Sequence, residues 1–285
     1  MEMEMAFEFI RSETTKDGVM VLTLNDPSTR NSWGGQMAEE AESEIDRLAQ
    51  DPDLRCLVLT GEGFAFCSGA NVKGFNRQIE ERAKAAPPPP PSVWQRMDPA
   101  GYAYEHGQFS GPSIIWKLWN LEKPSIAAVN GGAYGVGDGI AISCDFRIAS
   151  ERAEFCEAFI RNGIVSGDGS LWQLQRLIGI SNTLMMAYTG EPVGAEEAYR
   201  IGLANKVVPH EQLMDAALEL ATKLAHGPTV QMGLMKLMTH KGTHQTFREH
   251  FAGNANAGAI ARDTEDHKEG VRAFIEKRKP NFKGR

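Results

Sequence analysis

A glycine-rich segment between two apolar runs is the feature that most constrains how this chain folds. Residues 132–142 read GAYGVGDGIAI and begin two residues after the apolar run IAAV at 126–129. Short apolar runs of this kind are typical of buried strands, and glycine permits the tight turn that comes next. The segment therefore predicts a strand, a turn and a helix, with the first N–H groups of the helix facing whatever lies in front of the turn.

Strand-like and helical segments alternate along the first two thirds of the chain. Strand character is present at residues 19–25, 55–61, 124–130 and 146–149. Residues 36–50 have the apolar spacing of a helix, and from about Leu213 onward the pattern is helical. Alternation of this kind predicts βα units and a largely parallel sheet. We therefore predict an α/β core over residues 1–211 and a helical C-terminal region over residues 212–285.

Composition argues against several classes of function. The 285-residue chain has a net charge of −7 and a pI of about 5.6, which disfavours a general affinity for nucleic acid or anionic membranes. No window of about 18–20 apolar residues predicts a membrane span. The acidic start MEMEMAFEF is unlike a secretory signal, and four cysteines without a CxxC pair are expected to be reduced, so we expect a cytoplasmic protein. The histidines lack metal-binding spacing, and no metal is predicted.

Two segments together carry a family resemblance. The first is GFAFCSGANVKGF at 63–75, and the second is KPSIAAVNGGAYGVGDGIAISCDFRIAS at 123–150. In this order and spacing they resemble the two signature regions of the crotonase superfamily, the enoyl-CoA hydratase/isomerase family. STRN at 28–31, GLANKVV at 202–208 and AFIEKRKPNFKGR at 273–285 extend the resemblance over most of the chain. It implies a crotonase-like α/β fold, a spiral of ββα units, with a helical C-terminal region that assembles homotrimers or dimers of trimers.

The resemblance also implies a chemistry. Members of the family bind an acyl-CoA thioester and hold its enolate oxygen with two backbone N–H groups, an oxyanion hole. By position these amides belong to Ala70 and Val136. The family often has glycine where this chain has Val136, but a backbone N–H is all that the chemistry requires. Coenzyme A then enters as part of the substrate, and no separate cofactor is expected.

The two glutamates that hydratases of the family use are absent from their usual positions. The resemblance places the first at Gly139 and the second at Phe159. Three other acidic residues lie close by in the sequence, and each is a candidate acid or base: Asp168, Glu157 and Asp138. Asp168 leads because related isomerases and dehalogenases carry an aspartate in the same glycine-rich loop, one residue earlier on ungapped alignment.

Each candidate carboxylate also has a structural alternative. Asp168 could cap the helix that starts near Ser170, and Glu157 could form an ion pair. Asp138 could be a first-turn residue that the helix dipole favours. Alternation along an extended segment predicts that Glu157 faces the same side as Phe159.

The absence of the two glutamates affects which reaction is expected. One carboxylate suffices for a 1,3-proton shift, whereas hydration usually needs a second group, so isomerase-like proton transfer is slightly favoured. The alternative is a CoA-thioester-binding protein without hydratase activity. RNA binding, known for some relatives, is disfavoured by the acidic charge. Aryl dehalogenation is disfavoured because the histidine it requires would fall at Pro112, and the nearest upstream histidine is His106.

The resemblance further assigns contacts to the substrate. Arg30 and Asn31 fall in the loop on the adenine side, and Lys236 and Lys283 match basic positions near the CoA phosphates, although each lysine could instead be a solvated surface residue. The turns around the amides contribute the other predicted contacts: Ser68, Gly69, Ala70, Asn71, Val72 and Gly135. Aromatic residues that could line an acyl pocket are Trp94, Trp116, Trp119 and Phe159. The five prolines at 87–91 predict an exposed polyproline II spacer in a long loop.

Overall fold

The computed structural model describes residues 7–71 and 113–285. Its strands are β1 (Ile10–Thr14), β2 (Val19–Leu24), β3 (Cys56–Gly61), β4 (Ala65–Cys67), β5 (Ser125–Val129), β6 (Gly132–Tyr134), β7 (Phe146–Ser150), β8 (Glu154–Cys156), β9 (Val193–Gly194) and β10 (Lys206–Val208). Its helices are α1 (Gly35–Gln50), α2 (Ser113–Asn120), α3 (Val136–Ser143), α4 (Ser170–Thr189), α5 (Ala195–Arg200), α6 (Leu213–Ala225), α7 (Thr229–Gly242), α8 (Phe247–Asp263) and α9 (Glu265–Ile275). The strand and helix segments predicted above are present, with ends that differ by at most one residue.

The described strands form two sheets. The larger has the order β1-β2-β3-β5-β7-β10 and is parallel except for the β1–β2 pair. The smaller has the order β4-β6-β8-β9 and is parallel except for the β8–β9 pair. In the pairs β3–β4, β5–β6 and β7–β8, the first strand lies in the larger sheet and the second in the smaller one. The last two pairs lead into α3 and α4, which is the spiral of ββα units that the resemblance implied.

The larger sheet is covered on both faces, as is usual for parallel strands. Leu57 and Leu59 of β3 pack into the principal core, whereas Val58 and Ile126 face a second cluster that α6 completes. The α6 side chains in that cluster are small and four residues apart: Ala217, Ala221 and Ala225. Because α6 packs on the sheet, it belongs to the core. The division of the chain at residue 212 stays a prediction, although α6, which follows it, packs on the sheet of the α/β core.

The C-terminal helices expose large apolar side chains. Examples are Met235 on α7, Phe247 and Phe251 on α8, and Phe274 on α9. Exposed apolar area of this kind often marks an interaction surface, and the trimer expected from the resemblance would be built on it. Within the described ranges, no helix combines the length and the apolar character needed to cross a bilayer.

Candidate active site

Two turns lie side by side because β4 and β6 pair in parallel. Cys67 lies opposite Ala133, and Ala70 and Val136 each follow three residues later. The turn before Ala70 requires glycine, since Gly69 has a φ of +97° and a Cβ there would lie 2.8 Å from a carbonyl oxygen of the opposite turn. The strand pairing and this close approach bring the two turns that carry the predicted amides together.

Both predicted amides are available to a ligand. Neither the Ala70 nor the Val136 N–H donates to an acceptor among the residues that the structure describes. Trp33 bonds to the carbonyl of Gly69 and to the N–H of Asn71, at 2.8 and 3.0 Å, so the intervening Ala70 N–H points away from Trp33. Val136 is the first residue of α3, where N–H groups lack partners within the helix and the dipole favours negative charge. The pair forms a candidate oxyanion hole.

The carboxylate of Asp168 occupies the space over Gly139. A Cβ at Gly139 would lie 2.5 Å from Asp168 Oδ2 and 2.8 Å from Ile115 Cδ1. Asp168 Oδ2 has no hydrogen-bond partner among the described residues, and the residue is 7% exposed. Asp168 Oδ1 accepts from the Ser170 N–H at 3.0 Å and from the Ser166 hydroxyl at 2.6 Å. One oxygen therefore accepts from the first N–H of α4, whose N-cap residue is Gly169, and the other oxygen lies at the first turn of α3.

The sequence interpretation missed Ser166 and Ser170. Their hydroxyl oxygens lie 2.7 Å apart, and both residues hydrogen-bond to Asp168 Oδ1. The signal was the segment SGDGS at 166–170. Short polar residues two positions before and after an aspartate readily bond to its carboxylate when glycines let the chain turn.

Glu157 and Asp138 complete a buried cluster of three carboxyl groups. Burial raises the pKa of Asp138 well above its usual range, and the charges of Glu157 and Asp168 raise it further. Burial also raises the pKa of Glu157 to about 7, opposed by a hydrogen bond with the Ser170 side chain and reinforced by the charge of Asp168. Near neutral pH the cluster therefore retains protons instead of carrying three charges.

Asp138 is the most enclosed of the three acidic residues. It stands in the first turn of α3, as the dipole alternative expected, but it is fully buried. Neither of its carboxyl oxygens has a hydrogen-bond partner in the described part of the chain. Its predicted catalytic role stays a prediction.

The expected alternation between Glu157 and Phe159 is wrong. β8 ends just before Glu157, and Ala158–Asn162 form a 3₁₀ turn, which abolishes the two-residue period of a strand. The Phe159 ring packs over Gly135, 3.7 Å from where a Cβ would lie there. Phe159 therefore borders the first amide of α3, while Glu157 turns toward the loop that carries Asp168.

The loop predicted to lie on the adenine side contacts the turn before Ala70. The Ser68 N–H donates to the carbonyl of Arg30 at 3.0 Å, and the Arg30 residue is exposed. Asn31 is fully buried, and its side-chain amide donates to the carbonyls of Glu62 and Ala65 at 3.0 and 2.8 Å. Because its side chain is enclosed and bonded to backbone, Asn31 holds the loop in place. Its predicted contact with CoA stays a prediction.

The two predicted phosphate contacts differ in accessibility. Lys236 pairs with Asp145 at 2.9 Å and donates to the carbonyl of Leu118 at 3.1 Å, and 11% of its side chain is exposed. Its charge is paired within this chain, and its contact with a phosphate stays a prediction. Lys283 lies in a tail that is anchored through its own N–H to Asp266 at 2.6 Å. The residue is exposed, and its contact with a phosphate stays a prediction.

A cavity of about 500 Å³ lies between α2, α3, α4 and α7. Trp119 lines it and stacks on His240 at a centroid distance of 3.7 Å. Trp116 is 63% exposed, and Phe159 borders the amides instead, so the aromatic residues predicted for one acyl pocket are dispersed. The predicted features that lie outside the described residues are Val72, Trp94, the prolines at 87–91, His106 and Pro112.

We expect the free energy of unfolding of Glu157→Gln, relative to that of the wild type, to increase as the pH rises from about 4 to about 8. Burial raises the pKa of Glu157 from 4.5 to about 7, so with rising pH the unfolded chain loses this proton before the folded protein does. This difference in proton binding lowers the free energy of unfolding of the wild type by up to roughly 3 kcal/mol at the higher pH. Glutamine does not ionise and avoids this cost.

Urea unfolding at both pH values measures the difference. Glu151→Gln is the matched control, because Glu151 is an exposed glutamate. If the stability difference between Glu157→Gln and wild type were the same at both pH values, the burial argument for Glu157 would fail.

Comparison with known proteins finds a matching family model, similar sequences and similar structures. The family model described as enoyl-CoA hydratase/isomerase matches residues 14–98 and 99–285. The 1,2-epoxyphenylacetyl-CoA isomerase of Escherichia coli is 34% identical over 98% of this chain and 99% of its own. The short-chain-enoyl-CoA hydratase of Clostridium acetobutylicum is 34% identical over 95% of this chain and 97% of its own. The crystal structure of an enoyl-CoA hydratase from Bacillus anthracis has a TM-score of 0.80 at 29% identity, covering 98% of this chain and 100% of that one.

Proposed function

The chain belongs to the enoyl-CoA hydratase/isomerase family, and on that premise we propose that it moves a proton between carbon atoms of an acyl-CoA thioester through an enolate. The family alone does not choose the reaction, because relatives of equal identity are named as an isomerase and as a hydratase. The choice therefore depends on the acids and bases of this chain.

In this proposal the backbone amides of Ala70 and Val136 hold the thioester oxygen. Asp168 takes a proton from a carbon next to the carbonyl or conjugated with it, and the electron pair passes to the oxygen to give the enolate. Return of a proton to a different carbon moves the double bond and releases the oxygen. Coenzyme A would enter as the carrier of the acyl group, and no further cofactor is needed for this step.

The position of Asp168 Oδ2 over Gly139 carries the proposal. Hydratases of the resembled family place a glutamate at the position of Gly139, and here the Asp168 carboxylate takes that space from a loop 29 positions further along the chain. The position of the second glutamate is held by Phe159, which cannot transfer a proton and whose ring borders the amides. One free carboxylate oxygen beside an oxyanion hole supports proton transfer more directly than it supports addition of water.

A panel of enoyl- and acyl-CoA esters in D₂O, followed by NMR, tests the proposal. We expect deuterium exchange at α and γ carbons together with double-bond migration, without net addition of water. Samples without protein give the background exchange. Stable hydration products would instead indicate a second functional acid or base. Binding without exchange on any ester would reject the proposed chemistry in favour of a CoA-thioester-binding protein.

A further inference from the structure

Tyr134 lies at the point where the two turns of the candidate oxyanion hole meet. Its carbonyl oxygen is the atom that would lie 2.8 Å from a Cβ at Gly69, the residue before Ala70. Val136, which carries the second predicted amide, follows two residues after Tyr134 and opens α3. The position of the Tyr134 backbone therefore determines how closely the two turns approach each other.

The backbone on either side of Tyr134 is rich in glycine. Glycine occupies positions 131, 132, 135, 137 and 139, and it restricts the backbone dihedral angles less than any other residue does. Between positions 131 and 135 the residues with side chains are Ala133 and Tyr134, and only the tyrosine is large. Because the glycines impose little conformation themselves, contacts of the Tyr134 side chain are well placed to hold this segment.

The Tyr134 ring lies across Gly132 and reaches the neighbouring strand β8. Residues two apart on a strand share a face, and a Cβ at Gly132 would lie 2.6 Å from Tyr134 Cε2. Glu154 pairs with Gly132 in register and accepts a hydrogen bond from the Tyr134 hydroxyl. The guanidinium carbon of Arg161 lies 5.7 Å from the ring centroid, within cation–π range. The ring is therefore held by β8 and by the 3₁₀ turn that follows it.

We propose that Tyr134 is a positioning residue for the oxyanion hole, because its ring, bound to Glu154, fixes the end of β6 and with it the direction of the Val136 N–H. The inference rests on the proposed function, in which that amide holds the thioester oxygen. The Gly135 N–H donates to the Cys156 carbonyl at 2.8 Å, so the backbone of the turn is joined to β8 as well. Tyr134 acts through the backbone in this scheme, and its hydroxyl exchanges no proton with the substrate.

The carbonyl stretching frequency of a bound thioester measures the proposed effect. We use an unreactive CoA thioester labelled with ¹³C at its carbonyl. On the wild type it should absorb at a lower infrared frequency than in buffer, because the two amides polarise the C=O bond. In Tyr134→Ala we expect a smaller shift and a kcat lowered by about 10-fold, which is less than the loss of a whole donor causes.

Two further variants test the hydrogen bond between Tyr134 and Glu154. Tyr134→Phe keeps the ring over Gly132 and removes the hydroxyl. We expect kcat to fall by about 3- to 10-fold, the size of one hydrogen bond, with KM nearly unchanged. Glu154→Ala removes the same bond from the other side, so the double variant should lose no more than either single variant. Additive losses would mean that the two residues act separately, and the proposed pair would be rejected.

The carbonyl frequency also separates positioning from a purely structural role. Tyr188→Ala is the control, since it removes a ring from α4 that is 72% exposed, and it should change neither the frequency nor kcat. If Tyr134→Ala had a lower Tm but the wild-type frequency, the positioning role would be overturned. Should Tyr134→Ala fail to fold, the frequency and kcat of Tyr134→Phe decide the question in the same way.

Failure of the positioning role differs from failure of the proposed function. If the wild type neither shifted the carbonyl frequency nor exchanged a proton on any thioester, the proposed function would be rejected together with this inference. If the wild type did both, and the Tyr134 variants matched it in frequency and kcat, only the role of Tyr134 would be rejected.

Discussion

Asp168→Asn is expected to lower the rate of proton transfer by about 10²- to 10⁴-fold, the usual contribution of a placed general base. Asparagine keeps an oxygen that can accept from the Ser166 hydroxyl and the Ser170 N–H, so these hydrogen bonds at the start of α4 survive. Its amide nitrogen at the Oδ2 position cannot take a proton. Because asparagine and aspartate are nearly equal in size, the packing over Gly139 is preserved, and binding of the thioester should change little.

NMR exchange rates in D₂O measure the loss, and calorimetric titration with an unreactive CoA thioester measures binding. Asp138→Asn is the matched control, since it removes a neighbouring carboxylate that is fully buried. We expect it to keep most of the activity. If Asp138→Asn were inactive and Asp168→Asn active, the assignment of the base would be wrong.

Val136→Pro is expected to reduce kcat by about 10²- to 10³-fold, as loss of one oxyanion donor does in other enzymes. Proline has no backbone N–H, and Val136 is the first residue of α3, where proline fits a helix without breaking an internal hydrogen bond. The substitution therefore removes one proposed donor while the helix can remain intact.

Val136→Ala is the companion variant, because it shortens the side chain and keeps the N–H. It should retain most of the activity, and circular dichroism and thermal unfolding should show that both variants are folded. Equal loss of activity in the alanine and proline variants would mean that catalysis requires the Val136 side chain and not its backbone amide. A fully active proline variant would remove Val136 from the oxyanion hole.

Local patterns in the sequence determined much of the fold. Short apolar runs and helical spacing predicted β2, β3, β5, β7 and α1 to within one residue, because those patterns report burial over short stretches. The resemblance also led to the two turns that carry Ala70 and Val136. Gly139 is evident in the sequence, but the sequence does not show that the Asp168 carboxylate fills the space above it.

Tertiary packing decided how the side chains are used. Asp168 meets Gly139 only because α3 and α4 pack together. The 3₁₀ turn after β8 separated Glu157 from Phe159, which no two-residue period could foresee. Burial likewise made Asn31 a structural residue. Such contacts join residues far apart in the chain, and their existence depends on the relative placement of whole elements, which short-range patterns do not encode.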